Sequence, residues 1–102
     1  MINLELDTKY RIVYTSKFKK QLKKMIKQGK DIDLFLEIVT KLANLEELDP
    51  KYKNHSLIND KTYVDCMECH IKPDWLLVYT YIDDKLVLLL FATGSHSDIL
   101  DM

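Results

Sequence analysis

The apolar residues of this chain follow two different periods, and the switch between them restricts the fold more than any other feature. From Ser16 to Leu45 they recur every three or four positions; from Tyr63 to Thr93 they alternate or run together. The first spacing belongs to helices that bury one face, the second to strands. Phe18, Leu22, Met25 and Ile26 share one face of a helix predicted to start at a Ser16 cap and stop at Gly29. A second helix opens at Asp31 or Asp33 and buries Leu34, Phe35, Ile38, Val39, Leu42 and Leu45. Its short connection to the first predicts an antiparallel hairpin, and Pro50 requires the chain to have left the helix.

Strands are expected at residues 11–15, 63–72, 75–82 and 85–93, the last two joined by a tight turn at Asp83-Asp84. The order is β-α-α-β-β-β, an α+β fold with a helical hairpin packed on a mainly antiparallel, twisted sheet. Two glycines, two prolines and no linker-like tract in 102 residues predict a single domain over 1–102.

Several classes are excluded. No apolar stretch approaches the about 18 residues of a membrane span, and the longest, Leu86 to Ala92, suits a buried strand. Met1 to Glu5 lacks the basic-then-apolar order of a signal peptide, so a cytoplasmic location is expected. Cys66 and Cys69 are too few for a disulfide scaffold. Within a strand their spacing points them to opposite faces, which disfavours chelation and pairing alike.

The net charge of −1 conceals a polarity. Residues 1–30 hold nine basic and two acidic residues, whereas residues 31–102 hold six and fourteen. Lys19, Lys20, Lys23, Lys24 and Lys27 give the first helix a cationic surface suited to a polyanion such as RNA, or simply a solvated face.

His55, His70 and His96 fall on three segments that an antiparallel sheet can bring together, and Asp74 follows closely after His70. Imidazole exchanges protons near neutral pH, so a shared cluster fits acid–base catalysis. Three histidines and an aspartate also fit a metal, although no two histidines stand one helical turn apart. By strand alternation Cys66, Glu68 and His70 share one face, while Trp75, Tyr79 and Tyr81 line one face of the next strand, as core or as stacking platforms for bases.

Three segments, Tyr52-Lys53-Asn54-His55-Ser56-Leu57, Glu68 through Tyr79, and Thr93-Gly94-Ser95-His96-Ser97, resemble in order the motifs of the YafQ branch of the RelE toxin family. The resemblance implies a RelE-like domain acting as a ribosome-dependent mRNA interferase. In that chemistry the ribose 2′-hydroxyl attacks the adjacent phosphate, leaving a 2′,3′-cyclic phosphate and a 5′-hydroxyl, with no metal or other cofactor. It also implies a cognate antitoxin, a heterotetramer of two toxins and two antitoxins, and contact with operator DNA only through the antitoxin. His55, His70, Asp74 and His96 match the family's catalytic positions, and Trp75 a position that supports the aspartate or touches RNA.

Three departures stand out. Ala92 occupies the place of the usual catalytic arginine, Met67 that of another arginine, and Leu100 that of an aromatic residue. Losing a group that stabilises phosphate charge costs about 2.7–4 kcal/mol, so the resemblance implies an attenuated enzyme, by design or by divergence. The alternatives are a non-catalytic toxin fold acting with an antitoxin at its promoter, and a zinc hydrolase.

Overall fold

Thr15, rather than Ser16, begins the first helix, and the reason is tertiary. Its backbone is extended, its hydroxyl oxygen accepts from the Phe18 N–H at 3.0 Å, and its O–H donates to the Phe91 carbonyl at 2.8 Å. One side chain therefore caps the helix and ties it to the sheet. The computed structural model describes residues 3–58 and 60–100. Its elements are β1 (Arg11–Tyr14), α1 (Ser16–Lys27), α2 (Ile32–Ala43), β2 (His55–Ser56), β3 (Met67–Lys72), β4 (Trp75–Ile82), β5 (Val87–Gly94) and α3 (His96–Leu100).

Both long helices end in the same way. In α1 the Gly29 N–H reaches the Ile26 carbonyl and the Lys30 N–H that of Met25, with Gly29 at φ +74°. In α2 the equivalent bonds run from Leu45 to Leu42 and from Glu46 to Lys41, with Leu45 at φ +59°. A leucine in this left-handed position has turned its side chain out of the core, and Leu45 is exposed. The expected extension of the second helix to Leu45 thus stops two residues early. At the other end, Asp31 supplies the cap, accepting from the Leu34 N–H at 3.1 Å.

The sheet order is β1-β5-β4-β3-β2, with β1 parallel to β5 and every other pair antiparallel. Both helices cover one face, where Phe18, Phe35 and Trp75 form a stacked column with centroids 6.0 and 6.1 Å apart. Cys69, Ile71, Leu77, Tyr79, Leu88 and Leu90 complete that core. The opposite face carries a smaller cluster of Tyr63, Cys66, Leu76, Val78, Ala92 and Ile99. Beside it, the face carries the polar residues of interest.

The strand expected from Tyr63 begins only at Met67, because the preceding segment crosses the sheet and lays Tyr63 over the smaller cluster. The Asp83-Asp84 connection is a single 3-10 turn, and β2 is a short addition to the expected order. The segment after Gly94, readable from sequence as a tail or a helical turn, adopts the helical turn α3. No helix is long and apolar enough to cross a membrane among the described residues.

The left-handed leucine gives a direct test. Leu45→Gly should stabilise the protein by about 1 kcal/mol, because glycine adopts this conformation without steric cost. Thermal or urea unfolding measures it; an unchanged or lower midpoint would show that the Leu45 side chain makes a compensating contact.

Candidate active site

β2 exists because its two residues pair with β3, setting His55 opposite Glu68 and Ser56 opposite Met67. Alternation along β3 then puts His70 on the same face as Glu68. The Glu68 Oε1 atom lies 3.4 Å from His55 Nε2 and 3.9 Å from His70 Nε2. The His55 and His70 rings are 6.1 Å apart, and His70 and His96 5.9 Å. Glu68 therefore lies beside His55 and His70, and His96 stands next to His70, so three histidines from three separate segments share one face.

His96 is delivered by a turn whose chemistry is legible in detail. Gly94 has φ +146°, and a β-carbon there would sit 2.6 Å from the Asp98 Cβ. Glycine is required because Asp98 folds back against it. Ser95 and Asp98 cap each other: the Ser95 N–H donates to Asp98 Oδ2 at 3.0 Å, and the Asp98 N–H to Ser95 Oγ at 3.2 Å. Lys24 adds an ion pair to Asp98 at 2.7 Å, fastening α3 to α1. That contact, with the Ser95 N–H, holds the Asp98 carboxyl below its ordinary range.

The remaining sequence candidates fall elsewhere. Asp74 is exposed in the β3–β4 turn and makes no side-chain hydrogen bond or ion pair among the described residues. Trp75 is fully buried in the helix-side core, and its indole N–H donates to Thr93 Oγ1 at 2.9 Å. An RNA contact at Trp75 is therefore corrected to a core role: the side chain is fully buried, its one polar atom is already satisfied and its ring stacks on Phe35. Tyr79 is likewise buried.

Ala92 is also fully buried, in the cluster with Tyr63 and Ile99. It lines up across β4 with Val78 and then Glu68, about 10 Å from the latter at ordinary strand spacing. Met67 is partly buried and accepts a hydrogen bond from Ser56 Oγ at 3.2 Å. The Leu100 side chain lies outside the described residues.

Lys19, Lys20, Lys23, Lys24 and Lys27 are all exposed; Lys24 is the one engaged with Asp98. The two cysteines face opposite sides, as alternation required. Burial pushes the Cys69 thiol up to about 12, which removes it as a nucleophile at neutral pH.

Glu68 is the site residue that catalytic reasoning from sequence passed over. Its signal was present, since it shares a strand face with His70. Its carboxylate and the two imidazoles also form a candidate cation site, with ligand atoms from His55, Glu68 and His70 all within 4.8 Å of one another. Two nitrogens and a carboxylate oxygen suit a divalent transition metal. Next to His70 opens a groove of about 690 Å³, whose lining includes Lys51, Tyr52, Lys53 and Lys72.

The Asp98 contact has a pH signature. A carboxyl held low in the folded state stabilises the protein fully above its unfolded value of about 3.9, and that contribution disappears as pH falls through the folded value. Relative to Asp98→Asn, the native chain should gain a constant margin in melting temperature near neutrality. The margin should shrink below about pH 4. A margin independent of pH would mean the carboxylate charge is not what fastens α3.

Comparisons with known proteins identify the family and the fold. A family described as the bacterial YafQ toxin of type II toxin–antitoxin systems matches residues 10–101. The mRNA interferase toxin YafQ of Escherichia coli is 35% identical over 88 residues, spanning 84% of this chain and 90% of its own. Among solved structures, a metal-bound toxin from Helicobacter pylori superposes with a TM-score of 0.79 at 42% identity, covering 86% of this chain and 96% of that one. The toxin–antitoxin complex DinJ–YafQ of E. coli gives 0.74 at 29% identity, covering 87% and 94%.

Proposed function

The chain belongs to the bacterial YafQ toxins of type II toxin–antitoxin systems, and we propose that it cleaves mRNA on the ribosome, without a metal, and slowly. The row of His55, His70 and His96, with Glu68 beside the first two, is the observation that carries this reading. Rings about 6 Å apart can each approach one of the two oxygens of a phosphodiester held between them. One imidazole takes the 2′-hydroxyl proton as that oxygen attacks phosphorus; another protonates the departing 5′-oxygen. The charge balance closes with a 2′,3′-cyclic phosphate and a 5′-hydroxyl. Asp74, free of partners among the described residues, acts in this scheme on bound RNA or on an imidazole reoriented by it.

The exposed lysines of α1 offer the RNA backbone a cationic track, and Lys51, Lys53 and Lys72 outnumber Asp31 and Glu37 in the groove beside His70. Slowness follows from Ala92. No guanidinium opposes the charge growing on the phosphate, a loss of about 10²–10³ in rate by analogy with other oxyanion donors. An antitoxin partner is proposed from the E. coli complex, in a two-plus-two heterotetramer whose antitoxin carries operator binding. Ribosome dependence places the action in the cytoplasm.

Primer extension on mRNA with purified ribosomes is the test. The native chain should cut weakly at defined positions, and His70→Ala should lower cleavage by about 10²-fold or more. A folded native chain that binds ribosomes and never cuts would favour the second reading, a toxin fold kept only to engage an antitoxin. The apolar seal over Ala92 is the observation that favours it.

Ala92→Arg made alone is expected to destabilise the fold by about 3–5 kcal/mol, because it adds an unpaired buried charge to overpacking. Combined with Tyr63→Ala, which opens space above position 92, it should raise cleavage above the native rate. A single variant with native stability would show that the cluster yields readily.

Metal enters this scheme as an inhibitor. A cation on His55, Glu68 and His70 occupies the lone pairs needed for proton transfer, and the H. pylori relative is metal-bound. Added zinc or copper should suppress cleavage and a chelator restore it; loss of activity on chelation would support the zinc-hydrolase alternative instead.

A further inference from the structure

The segment that precedes β2 is a single 3-10 turn, Pro50–Tyr52, which ends on a left-handed residue. Lys53 is left-handed, with φ +49° and ψ +46°. It is exposed, and no glycine or asparagine stands there to ease the conformation. The turn around it is fixed from several directions. Asp49 Oδ1 accepts from the Lys51 N–H at 3.0 Å, the Lys53 N–H reaches the Pro50 carbonyl at 3.0 Å, and Tyr79 donates its O–H to Asn54 Oδ1. Burial drives the Tyr79 hydroxyl upward, so it keeps the proton it donates.

What this rigid turn presents is the Lys53 carbonyl, 2.6 Å from His55 Nδ1. A carbonyl oxygen only accepts, so Nδ1 must carry the proton in every protonation state of the ring. The other nitrogen, Nε2, faces Glu68 at 3.4 Å on the side of His70.

We propose that Lys53 is a positioning residue: its left-handed peptide fixes the tautomer of His55, holding Nδ1 as the donor to the Lys53 carbonyl and turning Nε2 toward Glu68 and the cleavage site. The strain of a non-glycine residue at this φ is held by the surrounding hydrogen bonds and spent on orienting a catalytic ring. The structural assignment stands on the free protein; its catalytic consequence rests on the endoribonuclease reading.

The experiment separates the two. Long-range proton–nitrogen NMR on the ¹⁵N-labelled free chain, at a pH where the ring is neutral, should show His55 as the Nδ1–H tautomer. A neutral ring protonated at Nε2 overturns the proposal, whatever the RNA assays show. Lys53→Gly and Lys53→Val remove the same charge but differ in backbone preference, since glycine accepts the left-handed conformation and valine resists it. The glycine variant should keep the Nδ1–H signal, and the valine variant should lose it or show a mixture. On ribosomes the valine variant should cleave on the order of tenfold more slowly than the glycine variant, part of the about 10²–10⁴-fold that a positioned acid–base group supplies. Equal rates with equal spectra would also overturn the proposal. Correct spectra with no cleavage by any version would instead defeat the endoribonuclease reading and leave the assignment of Lys53 intact.

Discussion

The pairing of β4 with β5 slips by one residue at Phe91, and the arrangement of both faces depends on that slip. Val78 stands opposite Ala92, yet Tyr79 stands opposite Leu90, so Phe91 is an extra residue in β5. A bulge of this kind reverses which side each later residue faces. Leu88 and Leu90 point into the helix-side core, whereas Ala92 belongs to the opposite cluster. Thr93 returns to the helix side, where its hydroxyl accepts from Trp75 and donates to the Leu76 carbonyl at 2.7 Å. Without the bulge the indole N–H would lose this partner in a fully buried setting, a loss of about 1–3 kcal/mol. The same slip sets the direction in which Gly94 and Ser95 launch His96.

A second consequence concerns the polar side chains that cross the core. Tyr10, Tyr79 and Tyr81 bury their rings while their hydroxyls reach Asp83, Asn54 and the Leu42 carbonyl. Burial raises Tyr81 to about 12, so its hydroxyl remains a donor throughout the physiological range. Among the described residues no buried side-chain polar atom lacks a partner. Satisfied aromatic residues of this kind act as splints between the sheet and its loops. The splint from Tyr79 to Asn54 ends one residue from His55, which is how a rigid core comes to hold the base of an exposed histidine.

Much of this was legible in the sequence, and the exceptions share a cause. The two long helices and the strand Trp75–Ile82 announce themselves because their burial follows a simple period. His70 and Glu68 fall on one face by the same arithmetic, and the family motifs point to the histidines. What escaped depends on contacts between distant segments. β2 is two residues long and exists only through its pairing with β3. The parallel alignment of β1 with β5 is a matter of topology, not of local pattern. Thr15 displaces Ser16 as a cap because Phe91 supplies its second hydrogen bond. Trp75 looked available for RNA because an aromatic residue beside an acidic one has the same sequence signature whether it faces solvent or core.

Ala92 brings these strands of reasoning together. An arginine at this position needs room and a polar partner, since an unpaired buried charge is among the costliest arrangements in a protein. Here both are absent from its surroundings: Leu76, Val78 and Ile99 line the space, and Tyr63 closes it. The Tyr63 hydroxyl donates to the Ile99 carbonyl at 2.7 Å and accepts from Lys17 at 2.8 Å, so the lid is bonded to α3 and to α1. Where the family resemblance implies an arginine, apolar packing instead anchors α3 through Ile99 and Tyr63. Since His96 begins α3, that packing also secures one ring of the histidine cluster. In the proposed reaction the acid–base groups and the charge-stabilising position are separate. His55, His70, His96 and Glu68 stand at the first, and apolar packing occupies the second, as expected where activity and packing compete for the same few side chains.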